Sequence, residues 1–167
     1  LLLLVLTEYG TADDDGIWTY NINGDETSLT GCISPCPKNL VIPAKINGHT
    51  VSTISSGAFA GKKLTTVTIP DSVITIGHSA FMSNELTTVN IGGRVTTIGM
   101  FAFEENQLIS IAIPNSVTTI NLMAFANNQL TDIKIPKNMS SIGWGAFGGN
   151  RIKGVFIPES VVNIGSI

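Results

Sequence analysis

The chain has 167 residues, a formal net charge of −3 and only 13% charged side chains. Residues 1–48 carry six acids against two lysines and residues 49–167 carry seven bases against six acids. Neither half is basic enough to form the stripe that nucleic-acid phosphates demand, and the length suits one elongated domain.

The chain opens with Leu1-Leu2-Leu3-Leu4-Val5-Leu6, too short a run to span a bilayer and without a preceding Met or basic residue. Residues 1–12 read as the tail of a signal peptide, with Gly10-Thr11-Ala12 supplying small residues for cleavage before Asp13-Asp14-Asp15. The alternative is an edge strand of the segment that follows. Residues 13–41 are expected to form an N-terminal cap. Trp18, Tyr20 and Ile22 alternate as on a strand, Asn23-Gly24 marks a turn, and the chain returns through Thr27 and Leu29. Repeat arrays need such a cover, because an open end exposes core and unpaired backbone. Cys32 and Cys36, the two cysteines of the chain, either close a small disulfide that pins the cap, as suits an exported protein, or stay reduced. Zinc needs about four ligands, and neither His49 nor His78 lies near the cysteines in sequence or pairs with the other, so no metal or other cofactor is expected.

From residue 42 onward one code is written repeatedly. Ile46-Asn47-Gly48-His49 first marks a tight hairpin. Ala-Phe then recurs at 58/59, 80/81, 102/103, 124/125 and 146/147, a period of 22 residues. The columns Leu64, Leu86, Leu108, Leu130, Ile152 and Ile69, Ile91, Ile113, Ile135, Ile157 keep the same register. A unit this short cannot close a core alone, so each coil must bury its apolar side against its neighbours. Residues 42–167 therefore read as a solenoid of about five and a half coils that stops inside a coil. Val67 and Ile69 point inward on a first strand that Pro70 ends. Val73 and Ile76 return along the opposite wall. Gly77, Gly99, Asn121, Gly143 and Gly165 share one column, and glycine replaced only by asparagine predicts a positive φ there. Ala80 and Phe81 predict a short helical turn with the ring in the core. A ladder of Asn84, Asn106, Asn128 and Asn150 is expected to hydrogen-bond the backbone of neighbouring coils; the other reading is a sugar- or metal-binding row.

The stretch Leu64-Thr-Thr-Val-Thr-Ile-Pro-Asp-Ser-Val-Ile-Thr-Ile-Gly77 followed by Ala80-Phe81 closely resembles the BspA-like leucine-rich repeat family of bacterial surface and secreted proteins, over roughly residues 40 to 167. The resemblance implies a mainly β repeat solenoid: a right-handed leucine-rich-repeat coil stack with an N-terminal β-hairpin cap. It also implies that the Leu64-to-Ile69 strand forms one broad face, with irregular structure and short strands on the other. A secreted or cell-surface location and a role in adhesion or protein recognition follow as expectations.

No phosphate loop, nucleophile elbow or dinucleotide fingerprint appears, and no enzymatic activity or small-molecule substrate is expected. What varies between coils is where a partner would be specified. The positions after the turn glycine hold His78, Met100, Leu122, Trp144, Ser166 and then Ser79, Phe101, Met123, Gly145, Ile167, the first of which is usually polar in the resembled family. Met100, Phe101, Leu122, Met123 and Trp144 are thus the candidate partner-binding residues, an apolar strip if exposed. Their other reading is that they fold over neighbouring coils as core. The alternative face is the outward side of the first strand, where Asp132, Lys134 and Phe156 add charge and an aromatic; its Thr-x-Thr pairs fade after two coils, too few for an ice-binding lattice. A protein partner or self-association through the repeat surface is the expected interaction, and a structural spacer is the alternative role. No membrane anchor is visible in this stretch.

Overall fold

The computed structural model describes residues 9–10, 16–33 and 35–165. The proposed signal remnant therefore lies outside the described residues except for Tyr9–Gly10, as do Ser166 and Ile167. Among the described residues there is no helix. The strands are β1 (Tyr9–Gly10), β2 (Trp18–Asn23), β3 (Glu26–Cys32), β4 (Asn39–Val41), β5 (Lys45–Ile46), β6 (His49–Ile54), β7 (Thr66–Thr68), β8 (Thr75–Ile76), β9 (Thr88–Asn90), β10 (Thr97–Ile98), β11 (Thr119–Ile120), β12 (Ser141–Ile142) and β13 (Asn163–Ile164).

The cap is built by two hairpins. β2 and β3 pair antiparallel with Asn23 opposite Glu26, and Gly24 takes a φ of 63° in the tight turn between them. β5 and β6 pair with Ile46 opposite His49, where Asn47 and Gly48 both have positive φ, as the Asn-Gly turn requires. β1 adds an antiparallel edge to β2. β3 then lies parallel to β6, with a shift of register between Thr27 and Ser28, and so starts the ladder that the coils continue. Trp18 completes the cover, its ring set edge-on to Phe59 at 6.3 Å. Cys32 and Cys36 are joined in a disulfide with Cα atoms 5.7 Å apart. Intact mass should accordingly lie about two hydrogens below the reduced value, with no alkylation of either thiol before reductant is added. Two thiols that label freely would remove the disulfide and the redox argument for export.

The solenoid core is a set of columns, each made by one position of the repeat. Phe59, Phe81, Phe103 and Phe125 have no accessible surface, and with Phe147 they stack face to face at 5.2 to 5.6 Å. Their backbones are locked as well, since Phe81 donates to Ala102 and Phe103 to Ala124, both at 2.8 Å. The asparagine ladder bonds backbone and not a ligand. Asn106 accepts from the Leu86 amide at 3.0 Å and donates to Phe81 and Phe103 carbonyls at 3.0 and 3.1 Å, so one buried side chain ties two coils together. In the first coil Lys62 replaces asparagine, and there the next residue, Lys63, adopts φ 59°.

Two expectations need correction. The column Gly77, Gly99, Asn121, Gly143, Gly165 does not have positive φ. Glycine is needed there for space: a Cβ on Gly99 would stand 2.6 Å from the Gly77 carbonyl carbon and 2.8 Å from the His78 amide. Asn121 is accommodated with its amide donating to Ile98 at 2.9 Å. The left-handed residues are instead Gly57, Ser79, Phe101, Met123 and Gly145, and, four further on, Gly61, Ser83, Glu105, Asn127 and Gly149. They also explain the second correction. Ala80 and Phe81 sit on a tight turn closed by the Met82 amide on Ser79 at 3.2 Å, and a left-handed residue on either side stops it from becoming a helix.

The two walls differ from the expected arrangement too. The short return strands form the unbroken parallel ladder β3-β6-β8-β10-β11-β12-β13. The Leu64-to-Ile69 wall is paired only as β4-β7-β9. From Ile109 onward its residues leave the sheet, although Ile111 and Ile133 still bury their side chains. Burial of alternate residues survives there because packing around the phenylalanine spine fixes it, whereas ladder bonds require successive strands of one wall to stay about 4.8 Å apart.

Candidate functional site

The strip of candidate residues stands two and three positions beyond the return strands, just past the glycine column. Backbone bonds hold it at coil spacing: Ser79 donates to Met100 at 2.8 Å, Phe101 to Leu122 at 2.9 Å and Met123 to Trp144 at 3.0 Å. The carbonyls of Met100, Leu122 and Trp144 face the preceding coil, and the side chains of this first column are left at the surface. Trp144 is 56% exposed and Met100 42% exposed. His78 is exposed, and Leu122, Phe101 and Met123 are half-buried. The His78 ring meets Phe101 edge-on at 5.2 Å. Phe101 and Met123 occupy the left-handed position, at φ 58° and 51°, where other coils carry Gly57, Ser79 and Gly145. A bulky residue there costs about 1 kcal/mol or more, which sequence alone does not show because the repeated turn glycine lies two columns away.

The alternative residues lie on the opposite wall. Asp132 and Lys134 are exposed, and Phe156 is 81% exposed. Lys134 borders an open groove with Ile111, Pro114, Pro136 and Lys137. The structure thus brings Met100, Phe101, Leu122, Met123 and Trp144 together on one side and keeps Asp132, Lys134 and Phe156 apart from them.

Glu104 and Glu105 stand on a repeat turn whose sequence reads as solvated, and for Glu104 the structure corrects that reading. Glu104 is buried at a turn position where other coils hold Ala60, Met82, Ala126 and Gly148. Burial raises its pKa above the ordinary 4.5, the neighbouring Glu105 charge adds to this, and the Asn127 side-chain amide, 3.4 Å away, opposes it. Above 4.5 the unfolded carboxyl ionises before the folded one, so folding is penalised as pH rises through the interval up to the folded value. Glu104→Gln should therefore melt higher than the parent at about pH 7, with the gain vanishing near pH 4. An equal difference at both pH values would show that ionisation of Glu104 is not involved. Among the described residues, no three His, Cys, Asp or Glu side chains are grouped to hold a metal.

A stacked, mainly β coil array with an asparagine ladder and a phenylalanine spine defines a leucine-rich repeat solenoid. The chain belongs to the BspA-type leucine-rich repeat family, whose model matches six copies across residues 52–167. A leucine-rich repeat protein from Bacteroides ovatus is 28% identical with a TM-score of 0.75, over 87% of this chain and 41% of that one. The chain thus spans about two fifths of that protein. The T. pallidum leucine-rich repeat protein superposes with a TM-score of 0.75 at 24% identity, over 99% of this chain and 82% of that one. The pneumococcal vaccine antigen PcpA gives a TM-score of 0.62 at 20% identity, over 89% and 50%. These last two share the fold. No curated protein matches the chain.

Proposed function

We infer that the chain is a non-enzymatic binding or adhesion module of an exported bacterial protein, acting through its repeat surface and not through a pocket. The observation that carries this reading is the strip from Met100 to Trp144. Two large apolar side chains, Met100 and Trp144, are exposed two coils apart, and two more stand at left-handed positions, at a cost to stability that a purely structural coil could avoid with glycine. Export is supported by the Cys32–Cys36 disulfide and by the family. Self-assembly or a spacer role is the competing reading, because an exposed apolar column also serves a second copy.

Trp144 is the expected anchor, since tryptophan is enriched among residues that dominate binding energy. Beads coated with the chain should adhere to an epithelial cell monolayer, and Trp144→Ser should reduce adhesion while leaving the melting temperature nearly unchanged. Equal adhesion of both forms would remove the strip from the binding surface and direct attention to Asp132, Lys134 and Phe156. Concentration-dependent dimers in sedimentation, lost in Trp144→Ser, would favour self-assembly instead.

A further inference from the structure

We propose that the side of the solenoid bearing the strip binds an uncharged polysaccharide laid along the coil axis. This rests on the reading of the strip as an interaction surface and names its ligand. The first observation is the hydroxyl ladder beside the strip. Thr53, Thr75, Thr97, Thr119 and Ser141 are direct partners in the parallel sheet. Among the described residues their hydroxyls make no hydrogen bond within the protein. The adjacent hydroxyls behave differently, because Thr96, Thr118 and Ser140 donate to the carbonyl one coil back at 2.9 to 3.4 Å. One column is thus consumed by the fold and the other is left free, repeated at every coil.

The second observation is charge. The four columns that make up this side, Ser52 to Ser140, Thr53 to Ser141, Ser56 to Trp144 and Gly57 to Gly145, contain no Asp, Glu, Lys or Arg in any of their five coils. His78 is their one titratable side chain. Charged residues sit elsewhere on the surface, Asp132, Lys134 and Lys153 among them. Apart from the Glu26 carboxylate that accepts from Ser52 at its cap end, this surface carries no acidic or basic side chain to attract a polyanion or to strip of hydration when covered, so its complement is a neutral, hydroxyl-rich ligand. Trp144 supplies the exposed apolar ring on which the face of a sugar stacks, and the free hydroxyls supply donors and acceptors to its edge.

Size selects the polymer over a folded partner. Five coils at about 4.8 Å by roughly 15 Å across give on the order of 300 Å², against about 800 Å² per partner in a stable protein interface. A single polysaccharide chain is narrow enough to be covered by that strip. The hydroxyl column recurs at every coil, so one polymer meets the same donor or acceptor at each coil and many weak contacts add.

The test is affinity electrophoresis of the chain through native gels containing soluble β-glucan, xylan or mannan, with polygalacturonate as the charged control. At least one neutral polymer should slow migration and polygalacturonate should not. Trp144→Ala should weaken the retardation by about ten-fold or more, while Lys134→Ala on the opposite wall should not change it, with thermal melts confirming that both variants fold. No retardation by any neutral polymer, retardation by polygalacturonate alone, or retardation untouched by Trp144→Ala would overturn the proposal. If no polymer retards the chain yet Trp144→Ser still abolishes bead adhesion, the polysaccharide is wrong and the binding reading stands.

Discussion

Replacing Phe103 with Ala is expected to cost about 3 to 5 kcal/mol in unfolding free energy. The ring has no accessible surface and is sandwiched between Phe81 and Phe125 at 5.2 Å on both sides. Removing it opens a void that its neighbours cannot fill, because each is held in its own coil by backbone bonds to the next. The cost includes lost transfer free energy, lost dispersion contacts and two broken ring pairs. Because coils contact only their neighbours, the array is expected to lose cooperativity and split near its middle, so chemical denaturation should show a shallower or biphasic transition. A melt like that of the parent would mean that the ring is not part of the spine.

Asn106→Ala should have the next largest effect, and for a different reason. The side chain is 7% exposed and satisfies the Leu86 amide and the Phe81 and Phe103 carbonyls, with a longer bond to the Glu104 carbonyl. Alanine leaves the Leu86 amide buried without a partner, at about 1 to 3 kcal/mol, whereas the Phe81 carbonyl keeps the Asn84 amide and the Phe103 carbonyl keeps the Asn128 amide. A total loss of about 2 kcal/mol or more is expected, the broken bonds to the two carbonyls adding to the orphaned amide. Asn106→Asp separates the two parts of the effect. The carboxylate keeps the acceptor for Leu86 but turns the donor into a second acceptor facing carbonyls, so it should be at least as damaging at neutral pH and recover partly in acid. If Asn106→Ala melts within about 1 kcal/mol of the parent, the ladder is decoration and coil spacing is set by the spine alone.

The Asn121 position shows why such ladders had to be read in three dimensions. A column of glycine with one asparagine has two physical explanations, a left-handed backbone or a lack of room for Cβ, and a sequence pattern does not separate them. In this fold crowding is the cause for Gly77 and Gly99, and the left-handed residues lie two positions later, where Phe101 and Met123 disguise them. The apolar identity of those two residues suggested a surface strip or a core column; their backbone conformation marks them as strained as well.

The 22-residue register, the inward columns, the phenylalanine spine, the asparagine ladder and the hairpin turns were all legible in the amino-acid order. Each is a local rule repeated with the same spacing, and repetition turns weak single-position signals into a strong one. Which wall carries the long ladder was not legible, because Val-Thr-Ile and Ile-Thr-Ile segments satisfy strand alternation equally well and only the relative spacing of whole coils decides where amides meet carbonyls. The exposure of Met100 and Trp144 was likewise open, since a side chain two residues past a strand points outward or inward according to the turn that precedes it. The free hydroxyl ladder from Thr53 to Ser141 was hidden for the same reason: a hydroxyl is spent or available only once the carbonyl one coil away has been brought within reach of it, and that distance is set by the stack.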